Sequence, residues 1–269
     1  MIVDELPCEV EVRQRVEEPI PALSVIVRGP GVAHGGDVEA RTRQVLDRML
    51  GLSVDLTGFY ELAEHDERLR GLAKQFRGMR PTRFPTVFEA IVNAVACQQL
   101  SLTVGVHLLN RLAERYGSDL GGVYESHSFP APTQLSQAEV AELRALGFST
   151  AKARVLVDIA RREVSGELDL ESLVDLDDET ARRILLGLAG IGRWSAEYVL
   201  LRGLGRLAVL PGDDVGARNN LQRRFDLGHI ADYETVAALA REWWPYGGLV
   251  YFHLLLDSLA ERILTREGE

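Results

Sequence analysis

The sequence predicts a mainly α-helical protein with a small β-rich unit at its N-terminus, and three observations carry that prediction. Residues 1–45 hold two β-branched runs, CEVEVR (Cys8 to Arg13) and LSVIVRG (Leu23 to Gly29), bounded by Pro7, Pro19, Pro21 and Pro30. From Val38 onward the apolar spacing turns helical, which assigns residues 46–269 to one helical region. Within it, LAGIGRWSAEYVLLRGLGRLAVLPGDDVGAR (Leu188 to Arg218) reads as a helix end, a tight Gly190-Ile191-Gly192 turn, a second helix from about Arg193 to Leu204, a loop, and the acid pair Asp213 and Asp214.

Taken in order, VEARTRQVLDRMLGL places Val45, Leu46, Met49 and Leu50 on one helix face ending at Gly51, and DLTGFYELAEHDERLRGLAKQF gives further short helices. The steps Arg80-Pro81 and Phe84-Pro85 force an extended entry into a buried helix with a Phe88, Ile91 and Val95 stripe. That helix stops at Cys97-Gln98-Gln99-Leu100, where Ser101 can cap the next. Ser136 and Glu139 have capping-box spacing, Gly147 ends their helix, and Ser149 can start another. Asp177 or Asp178 caps the first helix of a hairpin spanning about 179–204, with Ile184, Leu185 and Leu188 facing inward. Leu221 and Phe225 read as core, and Trp243 to Leu264 as a proline-started apolar helix in which His253 is a hydrogen-bonded core histidine.

Composition narrows the function classes. At 269 residues and 46% hydrophobic, the chain can bury a full core. It has no run of about 18 apolar residues, and MIVDELPCEVEVRQ is too charged for a signal sequence. A cytoplasmic protein is therefore expected. Cys8 and Cys97 lie far apart with no CxxC neighbour, so neither a disulfide framework nor a structural zinc is expected, and two thiols cannot supply the four that an iron–sulfur cluster needs. No cofactor is anticipated. The formal net charge is −10, yet residues 182–224 hold eight arginines against Glu197, Asp213 and Asp214, a local +5 that leaves −15 elsewhere. A basic face on an acidic body suits a protein that must grip phosphates and let go.

The chemistry concentrates at the turn. Gly190 and Gly192 let the backbone approach a foreign surface closely, and the helix that starts after them presents unpaired N–H groups to a phosphate. Here the chain resembles the helix-hairpin-helix (HhH-GPD) superfamily of DNA glycosylases, and GRWSAEY is similar to the GRW[ST]AxY of the 3-methyladenine glycosylase II type. The resemblance runs from about Leu50 to Leu264. It implies a two-lobed helical core with a cleft between the lobes, acting on double-stranded DNA with damaged bases, as a monomer. It further implies backbone contacts from Gly190, Ile191, Gly192, Arg193 and Ser195, and a monovalent cation at the Leu188 and Ile191 carbonyls. The QQ[VIL]S stretch implies that Gln99 plugs the DNA stack, with Gln98 and Leu100 beside it.

Breaking an N-glycosidic bond puts positive charge on the sugar, which one fixed carboxylate stabilises. The resemblance selects Asp214, because Val215, Gly216, Ala217 and Arg218 supply the small-apolar run and basic residue that follow the family's catalytic acid. Asp213 is expected to be a cap or loop residue. Trp194 and Tyr198, spaced i, i+4, suit a pocket for an electron-poor alkylated purine. Strand-nicking relatives carry a lysine where this chain has Trp194, and its two lysines, Lys74 and Lys152, lie outside the hairpin, so hydrolysis without lyase activity is implied. Three departures bear on the pocket: Val215 and Leu255 stand where some members have aromatics, and Pro245-Tyr246-Gly247-Gly248 lacks an arginine. A glycosylase for oxidised or deaminated purines, and a non-catalytic DNA-binding module, are the alternatives.

Overall fold

Strand-forming residues are confined to the start of the chain, and the structure follows them. The computed structural model describes residues 2–3, 6–15, 22–29, 36–120 and 127–267. Strands β1 (Ile2–Val3) and β2 (Leu6–Pro7) form one antiparallel pair. A longer pair joins β3 (Glu9–Arg15) to β4 (Ala22–Arg28), with Val10 opposite Val27 and Val12 opposite Val25. Pro19, Pro21 and Pro30 lie outside the described residues. After the strands, the regular elements of the described residues are helices, apart from an isolated bridge between Asp119 and His127.

The chain forms two compact units, Met1–Leu46 with Val95–Asp169, and Asp47–Ala94 with Leu170–Glu269. In the first, α1 (Gly36–Leu50) begins after the strands, and α5 (Leu102–Tyr116), α6 (Pro132–Leu135), α7 (Val140–Ala145) and α8 (Thr150–Ser165) follow. Helices α6 and α7 pack on α8, which buries Ala153, Leu156, Val157, Ile159 and Ala160. Ser101 and Ser149 cap α5 and α8 by accepting the Val104 and Lys152 amides, and Gly147 closes the α7 end in the left-handed region at φ +104°. The Ser136–Glu139 capping box does not form. Ser136 instead ends α6 and donates to the Thr133 carbonyl, while Glu142 reaches back to the Glu139 amide at 3.0 Å. The box is shifted by one turn because Pro132 has already started a helix upstream.

The second unit contains α2 (Thr57–His65), α3 (Glu67–Gln75), most of α4 (Val87–Cys97), a 3₁₀ turn at Glu171–Asp175, α9 (Asp178–Leu186), α10 (Arg193–Arg202), α11 (Val215–Arg224), α12 (Tyr233–Glu242) and α13 (Gly247–Glu267). Its core gathers Phe59, Leu69, Leu72, Leu221, Val236 and Trp243. Each fully buried large side chain contributes about 2 kcal/mol. Trp243 also donates its indole N–H to Asp66 at 3.0 Å, and Asp66, which caps α3, is held at about 2 by Arg68. His253 is a core residue, its Nδ1 2.8 Å from the Leu249 carbonyl and its ring 4.7 Å from Phe59. Phe225 is only partly buried, against Trp243.

Two helices differ in detail from the sequence reading. Helix α4 is buried on more than a stripe, since Val87, Phe88, Ala90, Ile91, Val92, Ala94, Val95 and Ala96 are all below 4% exposed. Its N-terminus is capped from far along the chain, where Glu171 accepts the Val87 amide while pairing with Arg48. Helix α13 starts at Gly247 rather than at Pro245, and continues to Glu267. Among the described residues no helix is long and apolar enough to cross a membrane.

Candidate active site

Helices α9 and α10 form the hairpin. Asp177, rather than Asp178, caps α9 by accepting the Thr180 amide at 2.9 Å, and Leu185 and Leu188 are buried while Ile184 is half-buried. In the turn, Gly190 takes φ +78°, a conformation that favours glycine, and Ile191 points inward at 5% exposure. Gly192 is exposed, its added Cβ would meet nothing within 4 Å, and it serves as the N-cap of α10 without a side chain. The first intrahelical acceptor, the Gly192 carbonyl, serves Ala196, so the amides of Arg193 and Trp194 stand ahead of the helix's own ladder. Ser195 is buried. The Leu188 carbonyl accepts the Ile191 amide at 3.1 Å.

The two adjacent acids have separate surroundings. Asp213 pairs with Arg193 at 2.5 Å and with Arg218 at 2.6 Å, and these guanidinium groups hold its carboxyl below the usual range. It is an ion-pair hub rather than a simple cap. Asp214 is the N-cap of α11: its Oδ1 accepts the Ala217 amide at 2.8 Å. Its Oδ2 accepts the Trp194 indole N–H at 3.1 Å and the Tyr251 hydroxyl at 3.3 Å. Burial pushes the Tyr251 phenol well up, so it acts there as a neutral donor. Three donors thus fix the orientation of a half-buried carboxylate.

Trp194 and Tyr198 lie side by side, with ring centroids 5.3 Å apart and planes 30° from parallel. Tyr198 donates to the Asn93 side chain at 2.8 Å, and Phe84 continues the aromatic surface at 6.1 Å. The Arg202 guanidinium lies over the Phe84, Tyr198 and Phe252 rings. Leu255 packs against the core.

A buried acid organises the loop that carries the pair. Glu197, 3% exposed, accepts Arg182 at 3.0 Å and the Tyr233 hydroxyl at 2.7 Å on one oxygen, and the Gly212 amide at 2.9 Å on the other. Arg193 stacks on the Tyr233 ring, 3.6 Å from its centroid. Hairpin, acid loop and α12 are therefore tied together through side chains.

The second unit thus brings together Gly190, Ile191, Gly192, Arg193, Trp194, Ser195, Tyr198 and Asp214. Gln98, Gln99 and Leu100 belong to the first unit, at the corner between α4 and α5. There Gln99 is exposed and takes φ +56°, Leu100 is 42% exposed, and Gln98 is half-buried. Sequence reasoning missed Asn93, Glu197 and Tyr251. Asn93 had a signal, as one of two polar residues inside VFEAIVNAVAC, where a side-chain amide needs a partner. Tyr251 had none, since its hydroxyl is invisible within an apolar run.

A hairpin with an open glycine turn, followed by a capped carboxylate beside an aromatic pair, defines a helix-hairpin-helix repair protein. The family model for HhH-GPD superfamily base excision DNA repair proteins matches residues 92–246, and the chain belongs to that family. The chain is similar to the 3-methyladenine DNA glycosylase of Archaeoglobus fulgidus, whose solved structure it matches with a TM-score of 0.83 and 30% identity, covering 96% of this chain and 86% of that one. It is 34% identical to DNA-3-methyladenine glycosylase 2 of Escherichia coli over 66% of this chain and 60% of the relative, less than two thirds of the latter's length. The Schizosaccharomyces pombe 3-methyladenine DNA glycosylase, solved in complex with abasic DNA, gives a TM-score of 0.63 and 29% identity over 72% of this chain and 92% of that one.

Proposed function

We propose that this protein is a monofunctional DNA glycosylase of base excision repair, which extrudes an alkylated purine of the 3-methyladenine type from duplex DNA and hydrolyses its N-glycosidic bond. The single observation that carries the reading is the setting of Asp214: a carboxylate held by the Ala217 amide, Trp194 and Tyr251, next to the Trp194–Tyr198 pair and twenty residues after Trp194 of the hairpin. The names of the relatives supply the substrate class.

Alkylation at a ring nitrogen gives the purine a positive charge, so the base is already a good leaving group. What the protein must supply is binding of the cationic ring and stabilisation of the sugar cation. The electron-rich faces of Trp194 and Tyr198 attract the first. The fixed charge of Asp214 stabilises the second, and costs no reorganisation when the bond breaks because its donors already hold it. Water then adds to the sugar, leaving an abasic site. Amides at the start of α10, with Gly190 and Gly192 clearing the approach, hold the DNA backbone. We take the enzyme to act as a monomer.

Asp214→Asn tests the assignment. The amide keeps shape and loses charge, so single-turnover release of an alkylated purine should fall by about three orders of magnitude or more, while DNA affinity persists. Near-normal release by this variant, or an equal collapse in Asp213→Asn with Asp214 intact, would show that the wrong carboxylate has been assigned.

A further inference from the structure

Gln99 sits in the left-handed region at φ +56°, a conformation L side chains avoid, on an exposed corner. Something must hold it there. The backbone on its N-terminal side is gripped by one side chain: the Lys152 ammonium donates to the Ala96 carbonyl at 3.0 Å and to the Gln98 carbonyl at 2.7 Å. Those two carbonyls flank Cys97 at the C-terminal end of α4, where the helix no longer supplies its own donors. Cys97 is itself pressed against α5, since a Cβ on Gly105 would come within 2.5 Å of its sulfur. Lys152 is placed by its own cap, because Ser149 accepts the Lys152 amide in the first turn of α8. Its ammonium bonds backbone carbonyls 54 and 56 residues away in sequence and, among the described residues, forms no salt bridge with a carboxylate.

From this geometry we infer that Lys152 is the positioning residue for the DNA-inserting corner: it fixes the carbonyls before Gln99, so that the plug is already formed when the enzyme meets DNA. The inference rests on the glycosylase reading and deepens it, by assigning to a lysine outside the hairpin a part in extrusion rather than in bond cleavage. An ammonium bonded to two carbonyls is a tether. A preformed plug lowers the cost of opening a base pair, so its loss should matter where the lesion is paired and not where it is already unpaired.

The test uses the full chain with Lys152→Met and Lys152→Arg. Single-turnover excision is measured on one alkylated purine placed either opposite its pairing base or opposite an abasic-site analogue, and 2-aminopurine fluorescence beside the lesion reports extrusion. Lys152→Met should lose about tenfold on the paired lesion and stay within about twofold of the parent on the unpaired one, with a weakened fluorescence change. Lys152→Arg, which can still donate to both carbonyls, should recover most of the loss. Equal loss on both substrates, or no loss on the paired one, overturns the inference. Should Lys152→Met fail to fold, Lys152→Gln, which keeps a neutral donor, decides by the same paired-to-unpaired ratio. If the parent releases no alkylated purine from either duplex, the glycosylase reading has failed, and the fluorescence change alone still judges Lys152.

Discussion

The two corners assigned to DNA are built on opposite plans. At the hairpin, the left-handed residue is Gly190 and the N-cap is Gly192, so backbone is presented and side chains are withdrawn. At the α4–α5 corner, the left-handed residue is Gln99, and Lys152 holds the chain before it so that a side chain is presented. The first plan suits a grip on phosphate, which carries no sequence information, and the second suits a wedge into the base stack. Binding and extrusion can therefore be broken separately.

The largest effect should come from spoiling the hairpin. Asp is a better N-cap than Gly by a few tenths of a kcal/mol, and the space around Gly192 is open. Gly192→Asp should therefore fold at least as well as the parent while placing a negative charge at the proposed phosphate contact. Affinity for lesion and undamaged duplex should fall together, by about a hundredfold at low salt, with the gap to the parent narrowing equally for both as salt is raised. Gel-shift titrations on both duplexes decide; selective loss on the lesion duplex would make the turn a reader of damage.

Gln99→Ala should cost less and in the other currency. Affinity for undamaged duplex should stay within about twofold, whereas excision of a paired lesion falls by about tenfold. Loss of binding to both duplexes would merge the two corners into one grip.

These differences explain what could be read in advance. Gly190-Ile191-Gly192 announces its turn because Gly190 takes the left-handed conformation that favours glycine. The Gln98-Gln99 corner does not, since nothing in a glutamine marks a positive φ or names Lys152 as its support. Asp214 was singled out by the resemblance through the residues that follow it, but its partners were not readable, because Trp194 and Tyr251 reach it from segments 20 and 37 residues away. Helix boundaries were set by local caps, as at Ser101, Ser149 and Asp177, and went astray at Ser136 where an upstream proline helix had taken the serine.

The smallest effect sharpens the comparison by touching neither corner directly. Glu89 lies on α4 upstream of the glutamines, and burial pushes its carboxyl up to about 7. The folded state therefore holds its proton more tightly than the unfolded chain. The stability this contributes is complete below about pH 4.5 and is lost as pH rises through about 7. Glu89→Gln removes that slope and should be more stable than the parent at pH 8, by on the order of 2 kcal/mol, with the gap closing towards pH 5. Urea titrations at the two pH values check it, and the ratio of paired to unpaired excision should not move.

The most direct test of the central claim follows the fate of the strand. Incubated with duplex carrying an alkylated purine, the protein should release the free base and leave an intact strand that breaks only on alkali treatment. Borohydride should trap no covalent enzyme–DNA adduct, because the resemblance places the lyase lysine where this chain has Trp194, and Lys152 is bonded to the Ala96 and Gln98 carbonyls. Efficient borohydride trapping, persisting with a blocked N-terminal amine, would contradict hydrolysis directed by Asp214.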